Sequence, residues 1–298
     1  MKVLLFGAGG QVGHEVRRAA WPAPFALVAL DRNAADIAKP AVVAAVMART
    51  RPDLVINLAA YTAVDRAESE PDLAWPVNCA GAAHIAAACG DYGTPLIHLS
   101  TDYVFDGAKA APYCEEDPVN PLGVYGSSKE AGERAVRAAA ERHIILRTAW
   151  IFGAHGANFV KTMLRLASER PVLHVVADQR GSPTAAGDIA LALVAIAQSI
   201  ERGERYWGTF HFTGDGATSW HGFAEEIIGI ADKLDAWPHR SSPSVEPINT
   251  DQYPTAARRP MNSVLDCRKI AVFGISPPPW RSSLPKVVRE ILDRNPLG

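Results

Sequence analysis

The chain has 298 residues, of which 48% are hydrophobic, and carries a formal net charge of −2 at pH 7. This length supplies a large core for one or two domains, and the charge argues against nucleic-acid binding, which needs a basic face toward the phosphates. The four cysteines form no CxxC pair and are interpreted as reduced thiols. The N-terminal segment has too few apolar residues for a signal peptide or a membrane span, so we expect a cytoplasmic protein without a membrane partner.

Short apolar runs alternate with alanine-rich segments along the first half of the chain. The predicted strands are residues 2–6, 25–31, 53–60, 95–100 and 143–150. The predicted helices between them are residues 11–20, 40–51, 71–91 and 127–141. Continuous apolar strands that alternate with helices indicate a parallel sheet covered on both faces. The predicted fold class is therefore α/β, a Rossmann-like doubly wound parallel sheet.

The second half of the chain changes character near residue 150. Helices are predicted at residues 158–169, 187–200 and 220–234, and a Pro/Ser-rich stretch follows at residues 237–260. Irregular stretches of this kind are typical of surface connections and binding loops. We predict a dinucleotide-binding Rossmann domain at residues 1–150. Residues 151–298 are predicted to form a smaller, partly interleaved C-terminal substrate-binding region with segments that return to the first domain.

A glycine pattern, GxxGxxG, follows the first predicted strand directly. Gly7, Gly10 and Gly13 lie where that strand turns into the first helix. Glycine permits the tight turn and the close approach of backbone amides to a pyrophosphate, and a helix N-terminus adds partial positive charge. Glycines also make ordinary turns, but after a strand and before a helix the pattern predicts dinucleotide binding.

An acidic residue ends the second predicted strand. Asp31 follows Gly13 at about the distance expected for the acid that bonds the adenosine ribose. A carboxylate there repels a 2′-phosphate and favours NADH, whereas the adjacent Arg32 offsets that repulsion, so both NADPH and NADH remain open as cofactors. The alternative is an ordinary Asp at the end of a strand.

A hydroxyl and a YxxxK motif follow the fourth predicted strand. Ser100, Thr101 and Asp102 end that strand, where ligands lie in doubly wound sheets, and Tyr125 and Lys129 come some twenty residues later. Four residues are about one helical turn, so Tyr125 and Lys129 share a helix face. A solvated stripe has the same spacing. Together with the hydroxyl, however, the pattern resembles the catalytic triad of the short-chain dehydrogenase/reductase superfamily.

The chemistry of ketone reduction explains these residue types. A ketone that receives a hydride develops negative charge on its oxygen and needs a proton, which Tyr125 is predicted to donate. A free tyrosine has a pKa of about 10, so we expect the Lys129 ammonium to lower the Tyr125 pKa. The Thr101 hydroxyl both donates and accepts and is expected to orient the carbonyl.

Longer motifs along almost the whole chain carry a closer resemblance. They include LLFGAGGQVG, AAYTAVDRAESEP, LSTDYVFDG, NPLGVYGSSKEAGE, DQRGSPTAAGDIA and PTAARRPMNSVLD. On these motifs the chain resembles the dTDP-4-dehydrorhamnose reductase family of extended short-chain reductases. That resemblance implies reduction of the C4 ketone of dTDP-4-dehydro-β-L-rhamnose to dTDP-L-rhamnose, with a dTDP-sugar as the partner molecule.

The resemblance also implies roles for individual residues. Tyr125 is the implied proton donor, with Lys129 and Thr101 as its catalytic partners. The implied cofactor-binding residues, besides Tyr125 and Lys129, are Gly7, Gly10, Gln11, Val12, Gly13, Asp31, Asp36, Ile37, Ala60, Tyr61 and Thr62. The implied substrate-binding residues are Thr101, Asp102 and Trp150. Trp150 also fits a core aromatic after a strand, and Arg258 and Arg259 fit either the substrate diphosphate or solvated loop charges.

Two other function classes stay open on the sequence alone. One is a different sugar-nucleotide enzyme of the superfamily; a dehydratase typically has Asp-Glu after the threonine, whereas here Asp102 and Tyr103 follow it. The other is a non-catalytic dinucleotide-binding relative, such as the regulatory subunit of methionine adenosyltransferase. Certain relatives form homodimers through a magnesium site that Glu15 and Asp188 would match in part. Two carboxylates are half a site, so no metal is assigned.

Overall fold

The structure, a computed structural model, describes residues 1–237 and 242–294, so residues 238–241 and 295–298 of the predicted C-terminal region lie outside it. The strands are β1 (Lys2–Phe6), β2 (Ala26–Leu30), β3 (Leu54–Asn57), β4 (Leu96–Thr101), β5 (His143–Thr148), β6 (Ile151–Phe152), β7 (Val172–Val176), β8 (Arg180–Gly181), β9 (Thr184–Ala185), β10 (Gly208–His211), β11 (Thr218–Ser219) and β12 (Ser244–Ile248).

The helices are α1 (Gln11–Arg18), α2 (Pro40–Thr50), α3 (Val64–Ser69), α4 (Pro71–Trp75), α5 (Ala82–Tyr92), α6 (Val124–Ala139), α7 (Phe159–Glu169), α8 (Ala186–Glu201), α9 (Trp220–Lys233) and α10 (Trp280–Arg294). A π-helical turn, Pro76–Gly81, joins α4 to α5, so the single helix predicted at residues 71–91 is three segments. Within the described residues, no helix combines the length and the hydropathy needed to cross a membrane.

A parallel sheet forms the centre of the molecule. Among the described residues it has six strands in the order β2-β1-β3-β4-β5-β10, all paired in parallel. The predicted α/β, doubly wound fold class is thereby confirmed. The strand order reverses between β1 and β3, and in open parallel sheets ligands bind at the carboxyl ends of the strands beside such a reversal. The sixth strand, β10, comes from the second half of the chain and was not predicted.

Alternate residues of the strands face two separate hydrophobic cores. Val3 and Leu5 of β1 pack in the same cluster as residues of α1 and α8. Leu4 and Phe6 belong to the opposite cluster, with residues of α2, α5 and α6. Side chains of a strand alternate between faces, so continuous apolar runs are what a sheet covered on both sides requires.

A third core lies in the second half of the chain. It joins α7, α9 and α10 around fully buried aromatic side chains, among them Phe223 and Trp280. The parallel pair of β7 with β12 borders it, and α9 contacts both strands. Local signals begin these helices, because Asn158 and Ser219 accept hydrogen bonds from the backbone amides of Lys161 and Gly222.

Helix α6 begins three residues earlier than predicted. Its first residue, Val124, donates its backbone N–H to the carboxylate of Glu68 on α3 at 2.7 Å. A carboxylate at a helix N-terminus satisfies an otherwise unpaired amide and interacts favourably with the helix dipole. Because the acceptor lies 56 residues away, the local sequence does not reveal this helix start.

A buried ion pair ties α6 to the sheet. Arg147 of β5 donates from Nε and Nη2 to the two carboxylate oxygens of Glu133 at 2.9 and 2.8 Å, and Ser100 of β4 donates at 2.6 Å. Burial alone would raise the pKa of Glu133, but the bonds from Arg147, Ser100 and Arg137 lower it to about 2. A depressed folded pKa stabilises the fold above the ordinary value of 4.5, and that contribution is lost as the pH falls toward 2.

Truncation of Glu133 tests the importance of this pair. Glu133→Ala leaves the buried Arg147 guanidinium unpaired, so we expect a loss of about 3–5 kcal/mol in the free energy of unfolding. The exposed pair of Arg165 with Glu169 on α7 is the matched control, and Glu169→Ala should cost less than about 1 kcal/mol. Urea unfolding of both variants gives the comparison, and equal effects would contradict an anchoring role for Glu133.

Candidate functional site

The glycine turn after β1 forms a close cradle at the point where the strand order reverses. Gly7 has a φ of +83°, and a Cβ there would lie 2.5 Å from the backbone nitrogen of Ala59. A Cβ on Gly13 would lie 2.3 Å from the carbonyl oxygen of Gly7. A side chain at either position would need the backbone to move, so the turn requires glycine at both.

The N-terminus of α1 opens beyond this turn. Gly10 precedes the helix in an extended conformation, with no side-chain cap and no acidic residue in the first turn. Asn158 donates to the Gln11 amide oxygen at 2.8 Å, which fixes Gln11 beside the loop after β6. Val12 points into the core instead and is 5% exposed. An uncapped helix start without negative charge fits the pyrophosphate of a dinucleotide.

The predicted adenosine-side residues lie after β2. Asp31 is exposed and accepts a hydrogen bond from the backbone amide of Ala34 at 2.9 Å, and Asp36 accepts one from Ala38 at 3.1 Å. Ile37 is only 3% exposed, and its side chain packs where a Cβ on Gly81 would lie 2.6 Å away. The Ile37 side chain is therefore core, and a role at adenine would fall to its backbone.

The segment after β3 is held by one amide side chain. Asn78 accepts from the backbone N–H of Tyr61 at 2.8 Å and donates to its carbonyl at 3.1 Å. The same Asn78 donates to the Ser128 hydroxyl of α6 at 3.0 Å, so it ties this segment to the helix that carries Tyr125. Ala60 and Tyr61 are half-buried in this segment and Thr62 is exposed.

The structure brings the predicted catalytic residues to neighbouring elements. Tyr125 and Lys129 are one turn apart on α6, and Thr101 ends β4, which contacts α6. Tyr125 is half-buried, and its ring packs edge-on against Tyr103 with 5.5 Å between centroids. The Thr101 hydroxyl donates to the Asp102 carboxylate at 3.1 Å and accepts from the Tyr103 amide at 3.2 Å.

The predicted lowering of the Tyr125 pKa by Lys129 is wrong for this structure. Burial raises the pKa of Tyr125 to about 12, the hydrogen-bonding interaction with Thr101 lowers it in part, and the Asp102 charge raises it again. Lys129 does not lower the Tyr125 pKa in this structure, and its Nζ donates to the carbonyl oxygen of Leu99 at 2.7 Å. At neutral pH Tyr125 is thus a protonated phenol.

Lys129 and Asp102 are also displaced from their ordinary protonation equilibria. Lys129 is 2% exposed, and burial lowers its pKa to about 8 although the Glu133 carboxylate acts in the opposite direction. Burial raises the pKa of Asp102 to about 6, while the hydroxyls of Ser263 and Thr101 lower it in part. Three titratable groups displaced in one place are typical of a functional site.

A cavity of about 420 Å³ lies beside Tyr103. Its walls include the aromatic rings of Trp220 and Tyr253 and the guanidinium of Arg259. Trp150 does not line this cavity, but it stacks on Trp220 with 3.5 Å between centroids and supports that wall. Aromatic walls with a few charged donors are what a nucleotide base and its phosphates need.

The two consecutive arginines of the C-terminal region separate in space. Arg259 donates from Nη2 and Nη1 to the Asp65 carboxylate at 2.7 and 3.0 Å and lines the cavity. Arg258 is exposed and is not among the cavity residues. Of the two, only Arg259 is placed to meet a molecule in this cavity.

Glu15 and Asp188 share a second cavity of about 260 Å³ between α1, α8 and α10. Glu15 pairs with Arg18 at 3.5 Å, and Asp188 accepts from the Ser283 hydroxyl at 2.8 Å. In residues 1–237 and 242–294, no group of three or more His, Cys, Asp or Glu side chains is arranged to hold a metal ion. We assign no metal to this cavity.

Several residues that shape the site were not predicted from the sequence. Tyr103, Trp220 and Tyr253 line the cavity, and Asn78 fixes the segment after β3. Tyr103 directly follows the predicted site residue Asp102, which was a usable signal. The other three lie in unrelated segments, so only the folded chain brings them together.

Comparison with known proteins identifies close relatives. The family model described as the RmlD substrate binding domain matches residues 1–292. A dTDP-4-dehydrorhamnose reductase of Sinorhizobium fredii is 43% identical over 295 residues, which cover 98% of each chain. A dTDP-4-dehydrorhamnose reductase of Aggregatibacter actinomycetemcomitans is 44% identical over 291 residues, which cover 96% of this chain and 98% of the relative.

A solved structure shares the whole fold. The dTDP-4-dehydrorhamnose reductase of Bacillus anthracis, determined in complex with NADP, superposes with a TM-score of 0.89 and 35% sequence identity. The match covers 97% of this chain and 99% of that one.

Proposed function

Since the chain belongs to the dTDP-4-dehydrorhamnose reductase family and is a nicotinamide-dependent oxidoreductase, we propose that it reduces the C4 ketone of dTDP-4-dehydro-β-L-rhamnose to dTDP-L-rhamnose. The main support for the proposal is that Tyr125 and Lys129 of α6 lie against β4, which ends at Thr101, and that Tyr125 packs on Tyr103, a residue of the aromatic cavity. The relatives named above align with 96–98% of the chain, so the family resemblance is not confined to the residues of the site.

The glycine turn and the segments after β2 and β3 would hold the cofactor. The amides that follow Gly10 would meet its pyrophosphate, Asp31 its adenosine ribose, and the Ala60–Thr62 segment its nicotinamide side. When bound, NADPH or NADH supplies the hydride that reduces the ketone. As a working division, residues 1–150 provide this half of the site, and residues 151–298 provide most of the substrate half, with α8 and β10 returning to the sheet.

Tyr125 is proposed to donate the proton. Its raised pKa keeps the phenol protonated at neutral pH, so the donor is in the correct form for reduction. The oxygen of a reduced ketone is a far stronger base than a phenolate, so the transfer remains downhill even from a phenol whose pKa is about 12. In the alcohol-oxidising direction Tyr125 must first lose its proton. That direction is therefore expected to require high pH.

Thr101 and Lys129 are proposed to position and tune this acid. The hydrogen-bonding interaction of Thr101 with Tyr125 lowers the Tyr125 pKa in part. Thr101 also lies at the end of β4, where the substrate ketone would bind. Lys129, one helical turn from Tyr125, lies deeper, against β4. We propose that the charge of Lys129 changes when cofactor and substrate bind in the site. The cavity beside Tyr103 is proposed to bind the nucleotide of the substrate, with the Arg259 guanidinium facing its phosphates.

Turnover tests the proposed function directly. The full chain is mixed with dTDP-4-dehydro-L-rhamnose and NADPH, the absorbance of the reduced cofactor is followed, and the product is identified by mass. We expect stoichiometric oxidation of NADPH and formation of dTDP-L-rhamnose. Cofactor binding without turnover would instead indicate a binding protein. Conversion of the sugar without net consumption of NADPH would indicate an epimerase.

Removal of one hydroxyl tests the role of Tyr125. Tyr125→Phe should leave cofactor affinity within about twofold and lower kcat by roughly 10²-fold or more, because a general acid contributes on that scale. Tyr92, exposed at the end of α5, is the matched control, and Tyr92→Phe should not change kcat. Steady-state kinetics decide the matter, and an unchanged kcat in Tyr125→Phe would show that another group donates the proton.

The carboxylate after β2 determines the choice between the two cofactors. Asp31→Ala removes a negative charge that repels a 2′-phosphate, so the ratio of kcat/KM for NADPH to that for NADH should rise about tenfold. Asp91→Ala, an exposed change of equal charge on α5, should leave the ratio unchanged. A shift of the ratio toward NADH in Asp31→Ala would contradict the placement of Asp31 at the ribose.

A further inference from the structure

A row of polar side chains crosses the sheet beneath Lys129. Asn57 ends β3 and is paired in register with His98 of β4, and both are 1% exposed. The Asn57 amide nitrogen lies 3.1 Å from His98 Nδ1, and His98 Nε2 lies 3.4 Å from Lys129 Nζ. The proposed mechanism uses neither Asn57 nor His98. A buried polar row of this kind needs a physical reason, because each of its members was removed from water.

The orientation of the Asn57 amide is fixed by the backbone. The Ala59 N–H donates to Asn57 Oδ1 at 3.0 Å, and a backbone N–H is only a donor. The atom that receives this bond is therefore the amide oxygen. The amide nitrogen, which carries two hydrogens, must then be the atom that faces His98.

The tautomer of His98 follows from this orientation. Asn57 donates to His98 Nδ1, so Nδ1 must be the unprotonated, accepting nitrogen of the ring. Burial, followed by the charge of Lys129, lowers the pKa of His98 well below its ordinary value, so the ring is neutral at pH 7. A neutral ring with a bare Nδ1 carries its proton on Nε2.

The Nε2–H therefore points toward Lys129. An ammonium group has only donors, so the Nε2–H and a charged Lys129 would face each other as two donors at 3.4 Å. A free amine resolves the conflict, because its lone pair accepts from Nε2–H while one of its hydrogens still bonds the carbonyl oxygen of Leu99 at 2.7 Å. The geometry thus favours the uncharged form of Lys129.

We propose that His98 is a positioning residue that, in the tautomer fixed by Asn57, hydrogen-bonds the free amine of Lys129 in preference to its ammonium. The inference rests on the proposed function in one respect only: Lys129 matters because it serves Tyr125. Burial acts in the same direction, since it lowers the pKa of Lys129 to about 8. Lys129 then exchanges its proton near the working pH instead of remaining a permanent cation.

Other charged groups around this row are already engaged. On α6, Glu133 is the carboxylate that acts on both Lys129 and His98, and it opposes the proposed effect by favouring their charged forms. Its charge is shared with Arg147 from β5 and Arg137 from α6. On the π-helical turn that packs on α6, the thiol of Cys79 interacts with Arg134 and Glu130 instead. Among the described residues, the ionisable side chain within hydrogen-bond distance of Lys129 Nζ is that of His98.

Nitrogen NMR of the unsubstituted full chain tests the tautomer. The ¹⁵N resonances of His98, assigned by their loss in His98→Gln, distinguish a nitrogen that carries a proton from one that does not. At pH 7 we expect an unprotonated Nδ1 and a protonated Nε2. A protonated Nδ1 would overturn the proposal, and the tautomer is read from the unsubstituted chain, with the variant used for assignment only.

The titration of Lys129 tests the consequence. With ¹³C-labelled lysine, the Cε resonance that disappears in Lys129→Met should titrate at about pH 8 or lower, well below the exposed lysines. In His98→Gln the amide oxygen can accept from an ammonium, so the midpoint should rise by about one pH unit. In Asn57→Asp the new carboxylate accepts a hydrogen bond from His98 Nδ1–H. The unprotonated ring nitrogen is then Nε2, which can accept from the Lys129 ammonium, so the titration midpoint should rise as well.

A matched histidine separates this effect from general loss of packing. His143, half-buried at the start of β5, bonds the Ala140 carbonyl, and His143→Gln should leave the Lys129 midpoint unchanged. An unmoved midpoint in both His98→Gln and Asn57→Asp would overturn the proposal. Neither NMR measurement uses substrate or turnover. A chain that fails to reduce the sugar nucleotide, yet shows the shifted lysine, would refute the proposed function and leave this inference standing.

Discussion

The buried ion pair between Glu133 and Arg147 is the interaction on which the site depends. It fixes α6 against β4 and β5 through two bonds from one guanidinium, with a third from Ser100. Residues four apart share a helix face, so the anchoring of Glu133 also sets the depth of Lys129 and the height of Tyr125 at the edge of the sheet. A buried ion pair is weak evidence for net stability, so we interpret this pair mainly as an interaction that positions α6.

Burial of the site residues determines their protonation states. Removal from water raises the pKa of Tyr125 and Asp102 and lowers that of Lys129 and His98, so each charged form is disfavoured in turn. Glu133 remains ionised, because hydrogen bonds from Arg147, Ser100 and Arg137 compensate for its burial. Lys129 and Asp102, with pKa values of about 8 and about 6, instead exchange protons close to neutral pH.

The sequence predicted the parts of the molecule that local chemistry determines. The glycine turn, the first five strands of the sheet and the spacing of Tyr125 and Lys129 follow from short-range patterns, and the structure contains them. The start of α6 was placed late because its cap, Glu68, comes from another helix. The Tyr125 pKa was predicted in the wrong direction because burial, the main cause of its shift, depends on the packed fold. The strand β10 lies too far along the chain for local patterns to assign it to the sheet.

The most direct test of the proposed reaction follows the transferred hydride. The full chain is given dTDP-4-dehydro-L-rhamnose and NADPH that carries deuterium at the transferable position of the nicotinamide, and the product is analysed by NMR. We expect dTDP-L-rhamnose with one deuterium at C4 of the sugar for each NADPH oxidised. A product without deuterium at C4, or no oxidation of NADPH at all, would show that this site does not deliver a hydride to the ketone.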